Sequence, residues 1–150
     1  MRRSSSIIDH TWLNYKKAAE LVVVGASALD ITARSSKSDA LAFKHSTVPG
    51  TVTFTPGGVA RNIAEAAHRL LSSDAPSSKS STLLVSCVGS DDAAEVLKTE
   101  HSRIGLRSDG LVVDERNPTA VCNMFLDSSG GLINGIADMD ILQKVDPELV

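Results

Sequence analysis

The sequence predicts an α/β fold, a parallel sheet with helices packed on it and a small β appendage. Three observations carry this. Short unbroken apolar runs, "LVVV" at 21–24 and "TLLVSCV" at 82–88, suit strands buried in a parallel sheet. Two stretches of helical periodicity, one over 59–71 and one following Ser90, alternate with them. The alternating "TVTFT" and the paired runs "TAVCNMFLD" and "LINGIAD" around "SSGG" read as a half-buried strand and a hairpin lying apart from the parallel core.

Each element follows in order. Residues 1–20 are polar and read as an arm or linker, leaving 21–150 as one domain. "LVVV" ends at Gly25, and "ASALDI" then places Asp30 just beyond that strand. "RSSKSDA" is turn-like, Pro49 and Gly50 make a turn, and Val52 and Phe54 alternate with threonines in a strand. In the helix over 59–71, Val59, Ile63, Ala66, Ala67 and Leu70 form an apolar stripe, with Arg61, Glu65, His68 and Arg69 expected to face solvent. Glu65 then pairs with Arg69 one turn on, as a surface ion pair whose loss should do almost nothing. A polar loop covers 72–81. The second helix takes Ser90 or Asp91 as N-cap and Gly105 as terminator. "GLVVDE" is a strand, the hairpin follows, and "MDILQKVDPELV" begins a further helical region.

Composition narrows the function classes. With 150 residues, 42% hydrophobic and 22% charged, the chain is ordinary globular material. A net charge of -3 and no basic cluster interleaved with aromatics argue against a nucleic-acid surface. The apolar runs are too short to cross a bilayer, and "MRRSSSIIDHTWLNYKK" is not a secretory signal. Cys87 and Cys122 lie in apolar runs, as reduced thiols of a cytoplasmic protein would. The four histidines have no zinc-ligand spacing.

"PGGVARN" at 56–62 is the segment with chemistry. Gly57 and Gly58 bare the backbone at a helix start, where N–H groups lack partners. Asn62, inside the first turn, can both donate to and accept from a hydroxyl. The same residues also suit a plain strand-to-helix turn. No Lys-Ser/Thr pair follows the glycines, so this is not a phosphate-binding P-loop, and "GASALD" lacks a dinucleotide fingerprint. Asp30 stands where open α/β sheets bind ligands, and its carboxylate could take two hydroxyls; a helix cap or turn aspartate is the alternative. "VGSDD" reads as a helix cap rather than a metal site.

Taken in order, "VVVGASALDI", "PGTVTFTPGGVARNIAEAAHRL", "SCVGSDDAAEVL" and "NPTAVCNMFLDSSGGLINGIADMDIL" resemble the ribokinase-like (phosphofructokinase-B type) carbohydrate kinases over residues 21–150. "FTPGGVARNIA" and "IADMDI" look most like the pseudouridine kinases. The resemblance implies a ribokinase-like three-layer sandwich with a β lid, formed by the segment around 43–55 and the 119–138 hairpin. It implies that Asp30 binds ribose hydroxyls, that Gly57, Gly58 and Asn62 line the sugar pocket, and that Asp138 lies near it. Ala28 and Ala137 stand where relatives often have asparagine.

The implied activity is ATP-dependent phosphorylation of a ribosyl 5′-hydroxyl, of pseudouridine or, as alternatives, of ribose, fructose or adenosine. The family's Asp-Thr-x-Gly-Ala-Gly-Asp segment is not found in residues 1–150. The chain therefore reads as the truncated, substrate-binding half, with ATP and Mg2+ bound mainly elsewhere and with no turnover of its own. A non-catalytic sugar-binding fragment is the other reading. The resemblance also implies a possible homodimer through the lid, and in some fungal relatives a fusion to a pseudouridine-phosphate glycosidase.

Overall fold

Two sheets organise the chain. In the computed structural model, which describes residues 19–37, 47–74 and 82–145, the elements run β1 (Leu21–Val24), β2 (Ala28–Ser35), β3 (Gly50–Gly57), α1 (Val59–Asp74), β4 (Thr82–Val88), α2 (Asp92–Ile104), β5 (Leu111–Val113), β6 (Val121–Leu126) and β7 (Leu132–Asp138), then a 3-10 turn at Asp140–Lys144. One sheet, ordered β1-β4-β5, is parallel throughout. The other, ordered β3-β2-β6-β7, is mixed, with β2 and β6 parallel at its centre. The arm at 1–18, residues 43–46 of the expected lid segment and the loop at 75–81 lie outside the described residues.

β4 is the axis of the core, because all seven of its residues are buried. Strand alternation sends its side chains to two faces. Leu84 and Val88 pack with Ala60 and Ala64 of α1 and Ala94 and Leu97 of α2. Cys87 packs with Ala28, Ala120 and Ile141 of the 3-10 turn. Helices, parallel sheet and 3-10 segment thus form three layers. β1, expected as a buried strand, is instead an edge strand among the described residues: β4 pairs with one side of it, and Leu21, Val22 and Val24 are exposed.

The second sheet is the expected lid, with one more strand than anticipated. "ALDITARS" was not expected to be a strand. Gly25 (φ 142) turns the chain out of β1, and it re-enters as β2 between β3 and β6. Asp30 therefore sits inside a lid strand rather than in a loop past β1. β3 and β7 expose most of their side chains, more than a half-buried pattern implies.

α1 forms as expected but is turned about its axis. Val59, Ile63 and Leu70 are 73%, 53% and 70% exposed, while Ala60, Arg61, Ala64 and His68 are buried. The reason is closeness. A Cβ built on Gly25 would lie 3.1 Å from the Ala60 Cβ, so α1 meets the core along a seam that only small side chains fit. Hydrophobic periodicity favours the larger aliphatic residues and so selects the wrong face. Arg61 and His68 follow the alanines inward. His68 stays satisfied there, with Nε2 2.8 Å from the Ile104 carbonyl.

α2 matches expectation at both ends. Asp91 caps it, accepting from the Ala94 N–H at 2.9 Å, and Gly105 closes it in the left-handed region at φ 76. The Asp91 carboxylate also accepts from the Thr119 N–H (2.8 Å) and hydroxyl (2.6 Å). Asp91, the first acid of "VGSDD", thus fastens α2 to the segment that leads into β6.

Candidate functional site

The site forms where the chain crosses from the parallel sheet into the lid. Residues 25–29 are fastened on several sides. The Gly25 N–H donates to the Val85 carbonyl (3.0 Å) and the Leu29 N–H to that of Ala120 (2.9 Å). The Ser27 N–H donates to Ser86 Oγ at 3.1 Å. The Ala26 carbonyl accepts the Arg61 N–H at 3.1 Å, within the first turn of α1. One of the helix's unpartnered donors thereby locks its N-terminus onto the crossing.

Asp30 and Gly57 share a face of the lid. Ala28 pairs with Gly57 and Asp30 with Thr55, and alternation points Asp30 and Gly57 to the same side. A Cβ at Gly57 would collide with both Asp30 carboxylate oxygens, so the missing side chain leaves room for that carboxylate. Gly58 answers a different demand: its φ is 95, and a Cβ there would strike the Ala26 carbonyl. The glycine pair therefore serves packing as well as any ligand. Burial pushes the Asp30 carboxyl above the ordinary aspartate range.

Asn62 stands one turn into α1, its N–H donating to the Gly58 carbonyl at 3.0 Å, and its side chain is exposed. Asp30, Gly57, Gly58 and Asn62 are thus gathered around one strand-to-helix turn. Asp138 is not among them. It pairs with Val121, and Val121 pairs with Leu29. Asp138 accordingly lies one row from Asp30 and on the opposite face of the lid. A recess lined by Ala33, Gly50, Val52 and Phe125 lies toward the other end of β2.

Behind the turn lies a polar cluster that the sequence reading missed. Arg61 Nη1 is 2.6 Å from Glu65 Oε2, with the arginine side chain 7% and the glutamate 21% exposed. Glu65 also pairs with Arg69 at 2.6 Å, as expected, but its link to buried Arg61 makes it more than a surface partner. A hydrogen bond from Arg69 holds the Glu65 carboxyl below its ordinary range, against the opposing effect of burial. His101 of α2 is fully buried, and neither ring nitrogen has a hydrogen-bond partner among the described residues. Burial first, and the charge of Arg61 second, push its pKa down to about 4, with Glu65 opposing. One signal was present in the sequence: Ala60 and Ala64 flank Arg61, and Glu65 follows it at helical spacing.

A parallel core sheet with a separate lid, joined at an aspartate and a glycine-asparagine turn, defines the α/β domain. The family described as pfkB family carbohydrate kinase matches residues 18–148, and the chain belongs to it. A pseudouridine kinase of Arabidopsis thaliana is 30% identical over 132 residues, covering 87% of this chain and 31% of that protein. A pseudouridine kinase of Escherichia coli K12 is 32% identical over 128 residues, covering 85% of this chain and 37% of the other. A solved structure from Clostridium perfringens, assigned as a sugar kinase, superposes with a TM-score of 0.72 at 28% identity, covering 89% of this chain and 39% of that one. The ribokinase-like fold with its β lid is thereby established. The chain spans about a third of the length of the curated relatives it matches. No described helix is long and apolar enough to cross a membrane.

Proposed function

We propose that the protein carrying this chain transfers the γ-phosphoryl group of ATP to the 5′-hydroxyl of a ribosyl substrate, pseudouridine, and that residues 21–150 are the substrate-binding and lid half of its kinase domain. The observation that carries this reading is the placement of the Asp30 carboxylate against Gly57, at the turn that also bears Asn62. An ionised carboxylate accepts from two neighbouring ribose hydroxyls, fixing the sugar's position and face. Gly58 keeps the backbone bare beside it, and Asn62 supplies a neutral polar contact. The lid sheet shields the transferring group from water while the 5′-oxygen bonds to the γ-phosphorus, the bond to ADP breaks, and the hydroxyl proton passes to a general base that this reading places in the other half of the kinase domain. Two relatives named as pseudouridine kinases support the substrate.

Kinases of this family use ATP. On this reading ATP and Mg2+ are bound mainly by the half of the kinase domain that lies outside these residues. The complete protein is expected to phosphorylate pseudouridine with a higher kcat/KM than ribose, fructose or adenosine. Preference for one of those sugars would move the substrate assignment, and absence of transfer to all four would overturn the kinase reading. The 150-residue chain alone is expected to give no turnover.

The lid face opposite Asp30 exposes Val52 and Phe54 on one edge strand and Ile136 on the other, an apolar face suited to a second copy of the lid. Sedimentation velocity is expected to show a dimer that Phe54→Asp dissociates. A monomer at micromolar concentration would overturn lid pairing.

A further inference from the structure

Arg61 carries no part in the function described so far, yet it is the charged side chain most deeply embedded beside the glycine turn. It is 6% exposed in a helix whose larger aliphatic residues face outward. Its Nη1 makes three contacts. One is the short pair with Glu65 at 2.6 Å. The others are longer, 3.4 Å to the Pro56 carbonyl and 3.4 Å to Asn62 Oδ1. The contact with Glu65 is an ion pair that holds the guanidinium in place, and the hydrogen bonds from Nη1 run to the backbone leading into Gly57 and to the Asn62 amide. A guanidinium can only donate. The Asn62 oxygen is therefore the atom that faces Arg61, which leaves Nδ2 as the amide's donor.

We propose that Arg61 is a positioning residue for the sugar site: anchored by Glu65, it steadies the Pro56–Gly58 turn and orients Asn62 so that the amide meets the substrate as a donor, toward a hydroxyl oxygen. This rests on the reading of Asn62 as a ligand group. It also assigns Glu65 a role, because without its carboxylate the buried guanidinium loses its short contact. Lysine would not substitute well. It keeps the charge but lacks the planar fork that reaches Glu65 and the turn together.

A double-mutant cycle on the 150-residue chain, read by pseudouridine affinity, tests this. Asn62→Ala is expected to weaken binding about two- to tenfold, the range of one neutral hydrogen bond. Arg61→Met is expected to weaken it by a similar factor in the native background and by little more in the Asn62→Ala background. An equal further loss in both backgrounds would show that Arg61 acts independently of Asn62 and would overturn the proposal. No effect of Asn62→Ala, or no binding by the native chain, would instead remove the ligand role of Asn62.

In either case the side-chain amide spectrum still decides the positioning claim. The Asn62 Nδ2 proton pair is expected to move toward free-asparagine values in Arg61→Met, while the Asn117 pair, which donates to Asp114, stays put. An unmoved Asn62 pair would overturn the proposal. If Arg61→Met does not fold, Glu65→Gln serves, with a smaller movement in the same direction expected and an unchanged pair again overturning it.

Discussion

Acidification from pH 6.5 towards 4 is expected to remove about 3 kcal/mol of folding stability through His101 alone. The ring is fully buried with no hydrogen-bond partner among the described residues, and its folded pKa lies at about 4. An unfolded histidine titrates near 6.5. Between these values the unfolded chain takes up a proton that the folded chain refuses, so stability falls as pH falls, and the loss levels off below about 4. Arg61, facing the ring from α1, adds to the refusal and Glu65 opposes it. Carboxylates titrate in the lower part of the same window, so the test is a difference. Urea melts of native chain and His101→Leu at pH 7.5 and 4.5 are expected to differ in acid sensitivity by about 2–3 kcal/mol, the leucine variant being the less sensitive. At pH 7.5 the variant should be at least as stable, because an apolar group replaces two unsatisfied buried nitrogens. Equal acid sensitivity would show that the ring is solvated.

Asp30→Ala is expected to weaken pseudouridine binding by about 10- to 150-fold, the loss of a charge-assisted hydrogen bond worth roughly 1.5–3 kcal/mol. The fold should not suffer. Burial raises the Asp30 carboxyl, which means the folded state disfavours its ionised form. Removing it therefore costs no electrostatic stability at neutral pH, and a residue kept against stability is what a ligand site contains. Affinity should also fall on acidification, beginning above the ordinary aspartate range because the carboxyl is raised. Asp138→Ala, one row away on the opposite lid face, is expected to change affinity far less. A larger loss for Asp138→Ala, measured by calorimetric titration, would place the sugar on the other side of the lid.

The parallel core was legible because β4 is a continuous apolar run, and such runs suit little else. The ends of α2 were legible because Asp91 and Gly105 are local signals. β2 was missed because "ALDITARS" mixes charge and small residues and becomes a strand only by pairing with β3 and β6, residues distant in sequence. The facing of α1 was misjudged for a related reason. Its contact with the core is set by a glycine on another segment, Gly25, which admits Ala60 and excludes larger side chains. Arginine at a buried position reads as a surface residue until its partner and the alanines beside it are seen together. The Gly57–Gly58–Asn62 turn was visible as a motif. That Asp30 lies against Gly57 required the lid register.

The proposed function places a ribosyl ligand at the Asp30–Gly57–Asn62 turn. Backbone amide spectra of the 15N-labelled chain, recorded while pseudouridine is added, test it most directly. Saturable shifts centred on Asp30, Gly57, Gly58 and Asn62 are expected, and they should disappear in Asp30→Ala. Shifts centred instead on Ala33, Gly50, Val52 and Phe125, and surviving Asp30→Ala, would put the ligand in the recess toward the other end of β2 and contradict it.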